Sequence, residues 1–183
     1  MEERSQEEIK TAVFGGGCFW CTEAVFSSLK GVKSVMPGYT GGTVVDPTYE
    51  QVSNGNTGHI ESIKIAYDPA VISYSDLLAV FFNTHDPTTP NRQGADIGTQ
   101  YQSAIFYADA GQRTAAEALI KELNDSKAYD NQVITLVRPL EKFYDAEDYH
   151  REYFKHHPDQ RYCQIVIQPK LDKLQHQFAA LLK

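Results

Sequence analysis

Cysteine is scarce in this chain: three thiols among 183 residues, alongside one tryptophan and two methionines. So few cysteines exclude a disulfide scaffold in a domain of this size and suit a reducing compartment such as the cytoplasm. Hydrophobic runs are short, far below the ~20 residues of a spanning helix, so nothing is expected to cross a bilayer. Basic clusters are missing as well. Lys and Arg number 17 against 24 Asp and Glu, and the resulting charge of −7 argues against nucleic acid or an anionic membrane as partner. Met1 to Lys10 is polar and acidic, unlike a secretory signal. No repeat, low-complexity tract or linker divides the chain. One domain over 1–183 is expected, acting as a monomer, with a polar segment over about 1–8 and a C-terminal helix over 169–183.

What is present is concentrated in Gly15-Gly16-Gly17-Cys18-Phe19-Trp20-Cys21. Upstream, Ile9 to Phe14 reads as a short buried strand. Downstream, Ala24, Val25, Phe26 and Leu29 recur at helical spacing until Gly31. Cys18 therefore falls at or just before a helix N-terminus, where unpaired N–H groups and the helix dipole favour a thiolate. The glycines let the backbone turn and leave the sulfur uncovered. A cysteine beside aromatic rings is commonly just a small buried hydrophobe. A triple glycine leading into Cys-x-x-Cys is a costly way to build core, and it marks Cys18 as reactive. Cys21 would lie on the first helical turn whether or not it reacts.

Further along, Val32 to Tyr39 reads as a strand, and Val44 to Gly58 as a polar, turn-rich stretch. His59 to Tyr67 alternates as a strand and stops at Asp68-Pro69. Ser73 or Ser75 can cap a helix carrying Leu77, Leu78, Phe81 and Phe82, and Asp109 can cap one carrying Ala116, Leu119, Ile120 and Leu123. The remaining expected elements are strands over Tyr101 to Tyr107, Val133 to Val137 and Tyr162 to Ile167, and a helix over Asp145 to His156. Leu171, Leu174, Phe178, Leu181 and Leu182 form the stripe of a last helix. Strands and helices mix without a βαβ rhythm, which favours an α+β, two-layer architecture.

Strand parity supplies a second clue. Glu61 shares its face with Ile63, Ile65 and Tyr67, so a carboxylate lies at the inner end of an apolar face. Desolvated there, it would hold a proton and serve as a general acid near neutral pH. The plainer alternative puts Glu61 at a ragged strand end with its head in water. Tyr101 shares a face with Ser103, Ile105 and Tyr107, but parity does not say which of the eleven tyrosines bear on chemistry.

These blocks together resemble the class A peptide methionine sulfoxide reductases. The likeness runs through Gly16-Gly17-Cys18-Phe19-Trp20, Gly38-Tyr39-Thr40-Gly41-Gly42, Tyr49-Glu50 and Thr57-Gly58-His59-Ile60-Glu61. It continues in His85-Asp86-Pro87-Thr88, Asn91-Arg92-Gln93-Gly94 and Asp96 to Tyr101, in family order over most of residues 12 to 107. The resemblance implies a roll around a mixed, mainly antiparallel sheet. It also implies reduction of methionine S-sulfoxide, free or in proteins, as a repair of oxidised proteins. By that likeness Cys18 is the nucleophile, Glu61 the acid on the sulfoxide oxygen, and Tyr49 and Tyr101 donors around it. Phe19 and Trp20 would receive the S-methyl group, and Asp96 would contact the polar side of the substrate. The cycle implied runs through a Cys18 sulfenic acid and a disulfide, is restored by thioredoxin, and requires no cofactor or metal.

The resolving thiol stays open. Many relatives carry Gly at position 21 and recycle through cysteines near the C-terminus. Cys21 is the first candidate here, because a Cys-x-x-Cys at a helix start suits disulfide geometry, and Cys163 is the alternative. Parity with Ile165 and Ile167 makes Cys163 a buried structural thiol, unless loops bring it to the site. Two other functions fit parts of the chain: a thioredoxin-like disulfide exchanger, and a metal site using Cys18, Cys21, Cys163 and a histidine. The missing βαβ rhythm and Glu61 weigh against the first, and the absent second ligand pair against the other.

Overall fold

The computed structural model describes residues 8–183; apart from Glu8, the polar segment expected over about 1–8 lies outside them. Eight strands and six α-helices alternate along the described chain. They are β1 (Lys10–Gly16), α1 (Phe19–Ser27), β2 (Val32–Thr40), α2 (Tyr49–Ser53), β3 (Ile60–Tyr67), α3 (Tyr74–Asn83), β4 (Arg92–Gln93) and β5 (Asp96–Ile97). After these come β6 (Ser103–Tyr107), α4 (Ala110–Asp125), β7 (Leu136–Pro139), β8 (Tyr144–Asp145), α5 (Tyr153–His156) and α6 (Gln168–Gln177). The main sheet has the order β7-β6-β1-β3-β2-β8, and only the β6–β7 pair is parallel. This is the mixed, mainly antiparallel α+β arrangement that the sequence implies.

Alternation along β1 divides the sheet's two faces. Ala12 and Phe14 enter the main core with Ile63, Ile65 and Ile105, under α1, α3 and α4. Val13 joins Ile60, Ala104 and Phe106 on the opposite face, covered by Leu140 and Phe143. Helices α2, α3 and α4 begin where side chains replace missing backbone partners. Ser73 accepts from the Asp76 N–H while Asp76 answers the Ser73 N–H, and Asp109 accepts from the Gln112 N–H.

The structure corrects the sequence reading chiefly in the C-terminal third. Tyr162 to Ile167 is not a strand: Cys163–Ile167 is a π-helical turn that runs straight into α6. Cys163 and Ile167 are buried while Ile165 is 58% exposed. Period 2 therefore fails, and the buried set Cys163, Ile167 and Leu174 follows helical spacing. Asp145 to His156 is not one helix either. It comprises β8, a 3-10 turn at Asp148–His150, a left-handed residue at Glu152 and the single turn of α5. Side-chain carboxylates tie it to the rest of the fold: its Glu147 accepts the Tyr49 N–H and the Tyr39 hydroxyl, and Glu23 of α1 accepts its Glu152 N–H. The last helix stops at Gln177 and a 3-10 turn, Ala179–Leu181, follows it. Residues 99–101 form a 3-10 turn, so Tyr101 precedes β6 instead of opening it, and the expected strand at Val133 starts only at Leu136. Within the stretch read as turns, Thr48 and Gln51 build a capping box that starts α2 at Tyr49.

Candidate active site

Cys18 is the N-cap of α1, with its carbonyl accepting from the Cys21 and Thr22 N–H groups. Gly17, at φ 91°, makes the turn from β1 into the helix and is held against the Gln93 side chain, where no Cβ would fit. Position agrees with the sequence reading; exposure does not. Cys18 is only 8% exposed, packed with Cys21, Cys163 and Ile167 beneath Tyr101 and Tyr162.

That burial changes the expected titration. Desolvation first, then the hydrogen bond to Cys21 and the Glu61 charge, push the Cys18 thiol well above its ordinary value. Cys21 moves the opposite way, to about 7, chiefly because the Cys18 S–H bonds to it and further because the Lys170 charge lies near. The pair thus shares one proton, with the thiolate favoured on Cys21, and the helix N-terminus alone does not decide the matter. All three cysteines are free thiols.

Glu61 stands where parity put it, 1% exposed on β3 opposite Tyr39 of β2. Its Oε1 accepts from the Phe19 N–H at 3.4 Å, so the carboxyl reaches the first turn of α1. Burial raises it to about 8, against the lowering effect of the Phe19 N–H and a hydrogen bond with Tyr101. The acid is mostly neutral at pH 7, and the reading of a solvated strand end fails. Tyr49 is held up at about 12 by burial and the Glu61 charge, and Tyr101 is raised by the same two causes, so both remain O–H donors. Asp96 reaches the site through Tyr162, whose hydroxyl donates to its Oδ2 at 2.8 Å and lies 3.6 Å from the Cys21 sulfur. Together Cys18, Cys21, Asp96, Tyr162 and Lys170 line a cleft of about 340 Å³.

The two rings after Cys18 separate. Phe19 is fully buried against His150, Tyr39 and Tyr49, with centroids 4.9, 5.7 and 6.3 Å away. Trp20 is half-buried, stacked on Tyr153 at 3.7 Å with a 6° interplanar angle. Its indole N–H donates to His150 Nδ1 at 3.0 Å. Sequence reasoning missed His150, Tyr153, Tyr162 and Glu147 as parts of this site. The available signal was the unmet need of a buried indole N–H for an acceptor. Among the described residues no group of three His, Cys, Asp or Glu side chains could hold a metal ion.

A thiol pair at a helix start, facing a neutral buried carboxylic acid, is equipment for thiol-dependent redox chemistry on a group that must be protonated to leave. A family model described as peptide methionine sulfoxide reductase matches residues 10–182. The chain belongs to that family, a family of oxidoreductases. It is 51% identical over 175 residues to the peptide methionine sulfoxide reductase MsrA of Chromobacterium violaceum, covering 96% of this chain and 99% of that one. Among solved structures it resembles Mxr1 of Saccharomyces cerevisiae in its reduced form, at a TM-score of 0.80 and 31% identity over 88% of this chain and 92% of that one. It also resembles methionine sulfoxide reductase A of Corynebacterium diphtheriae, at 0.74 and 32% over 85% and 78%. Among the described residues no helix is long and apolar enough to cross a membrane.

Proposed function

We propose that this protein reduces methionine S-sulfoxide, free or within proteins, to methionine, with Cys18 as nucleophile and Glu61 as general acid. The observation that carries the reading is Glu61 itself, neutral, buried and bonded to the first turn of the helix that Cys18 caps.

The chemistry follows from the residues. A proton shift within the thiol pair moves the thiolate from Cys21 to Cys18. The Cys18 sulfur attacks the sulfoxide sulfur while Glu61 protonates the oxygen and the Tyr49 and Tyr101 hydroxyls donate to it. The oxygen passes to Cys18 as a sulfenic acid, and methionine leaves reduced. Cys21 then attacks the Cys18 sulfur, the S–O bond breaks, water departs and a disulfide forms. An external dithiol returns two electrons. Thioredoxin is the proposed donor, supported by the yeast relative Mxr1, which has been solved in complex with Trx2. Cys21 is favoured as the resolving thiol by its hydrogen bond with Cys18 and its lowered titration. Cys163 is the second reading, because it shares the buried cluster of the other two. Trp20 is proposed as the wall receiving the S-methyl group, with Phe19 backing it from the core and Asp96 on the polar rim. Free thiols in this number suit a reducing, cytoplasmic setting.

A sulfoxide sulfur is pyramidal, so anchoring methyl and oxygen on opposite walls with Cys18 on a third side admits one epimer. The other would drive its oxygen into apolar rings and leave buried donors unpaired, at ~1–3 kcal/mol per group. The test is incubation with racemic methionine sulfoxide and excess dithiothreitol, followed by chiral separation. The protein is expected to leave the R form untouched, and Cys18→Ser to leave both. Equal consumption of the epimers, or an active Cys18→Ser protein, overturns the assignment.

A further inference from the structure

Glu23 is the only charged residue of α1, and it is 4% exposed. The reaction proposed above does not use it. One of its carboxylate oxygens accepts the backbone N–H of Glu152, and the other, Oε2, is buried with no hydrogen-bond partner. Glu152 holds a left-handed conformation, φ 50° and ψ 37°, which is unfavourable for a residue with a Cβ. Its own side chain cannot secure that turn, because it points outward to Lys155 at 3.4 Å and His156 at 3.8 Å. The turn lies between two groups that define the surroundings of Trp20. His150, two residues before it, accepts the indole N–H, and Tyr153, directly after it, stacks on the indole face. Trp20 and Glu23 are three residues apart on one helix, so the carboxylate meets the segment beside the place where the ring meets it.

We propose that Glu23 is a positioning residue: by gripping the Glu152 N–H it locks the left-handed turn that sets His150 and Tyr153 around Trp20. The inference rests on the reading of Trp20 as a wall of the substrate site. Burial raises the Glu23 carboxyl to about 7, against the lowering effect of the Glu152 N–H; the Glu152 carboxylate raises it further and Arg151 lowers it. Glu23, Lys155 of α5 and Leu171 of α6 line one pocket beside Trp20, separate from the cleft at Cys18, and burial lowers the titration of His150. An ionised carboxylate accepts an N–H more strongly than a neutral one, so the grip tightens as pH rises through 7.

Trp20 is the chain's only tryptophan, so its fluorescence reports on this cage alone. The titration is made in a Cys21→Ser background, which removes a neighbouring thiol that titrates in the same range. Trp20 emission is expected to change with a midpoint near 7, and Glu23→Gln in that background is expected to abolish the change. With the native cysteines, Glu23→Gln is expected to raise KM for methionine sulfoxide roughly tenfold while kcat stays within about twofold. A midpoint that survives Glu23→Gln overturns the proposal. So does a flat emission profile of the Cys21→Ser protein from about pH 6 to about pH 8, a result that requires no Glu23 variant to fold. Loss of the transition with KM unchanged upholds the grip and overturns instead the placing of Trp20 against substrate.

Discussion

Two regions meet at the site, and they are built on different principles. The frame, β1, α1, β2 and β3, is held by backbone ladders and a helix, and it carries Cys18, Cys21 and Glu61. The cover, residues 147–170, has almost no ladder of its own and is tied to the frame and α2 by side chains. Glu147 takes the Tyr39 hydroxyl and the Tyr49 N–H, Glu23 takes the Glu152 N–H, and His150 takes the Trp20 N–H. The reacting groups and Trp20 therefore sit where geometry is fixed by many cooperative bonds, and the residues packed over them, His150, Tyr153 and Tyr162, sit where a few bonds can be exchanged.

The sharpest way to break this division is through the thiols. If the frame carries all the chemistry, Cys21→Ser still releases one methionine per active site without reductant and keeps much of its dithiothreitol-supported activity but loses thioredoxin-supported turnover, while Cys163→Ser keeps thioredoxin-supported turnover. Quantifying methionine released by each variant, with and without thioredoxin, decides it. The reverse pattern would make the cover a chemical participant and move the resolving role to Cys163.

Glu61→Gln tests the frame at its acid. Gln keeps shape and hydrogen bonding but delivers no proton, so kcat/KM is expected to fall ~100- to 10,000-fold with little change in substrate affinity. The native profile should rise as the thiol pair ionises near 7 and fall as Glu61 ionises near 8, and the variant should lose the falling limb. Stability carries the same signature. The folded carboxyl sits near 8 against an ordinary 4.5, so its contribution is full below about 4.5 and is lost as pH rises through 8. Melting temperatures measured across that window should therefore shift in the variant's favour as pH rises. A constant difference between the two proteins would mean that Glu61 titrates normally.

The same division explains what the sequence disclosed. Frame elements follow period 2 or 3.6 and start at caps, so β3, the face of Glu61 and the N-cap position of Cys18 were legible residue by residue. The burial of Cys18 was not, because it comes from Tyr101 and Tyr162, far along the chain. The cover misled for a related reason. Its ties run through carboxylates on both sides, Glu147 within it and Glu23 on α1, and nothing local in Asp145 to His156 signals that these will break the helical pattern.

The π-helical turn offers the finest test, since strand and helix readings of Tyr162 to Ile167 assign opposite fates to one residue. On a strand, Ile165 and Ile167 would face the core together. In the helical turn Ile167 is fully buried in the thiol cluster and Ile165 lies open to solvent. Ile167→Ala should cost ~2–4 kcal/mol, by lost burial and the cavity left between Cys163 and α6. Ile165→Ala should change stability by less than about 0.5 kcal/mol, as surface substitutions do. Denaturant unfolding of the two variants measures both. Equal losses would restore the strand and detach Cys163 from its place beside Cys18. The expected inequality fixes the turn that presents Tyr162 to the site, since only a helical path puts Ile167 inward four residues after Cys163 while leaving Ile165 out.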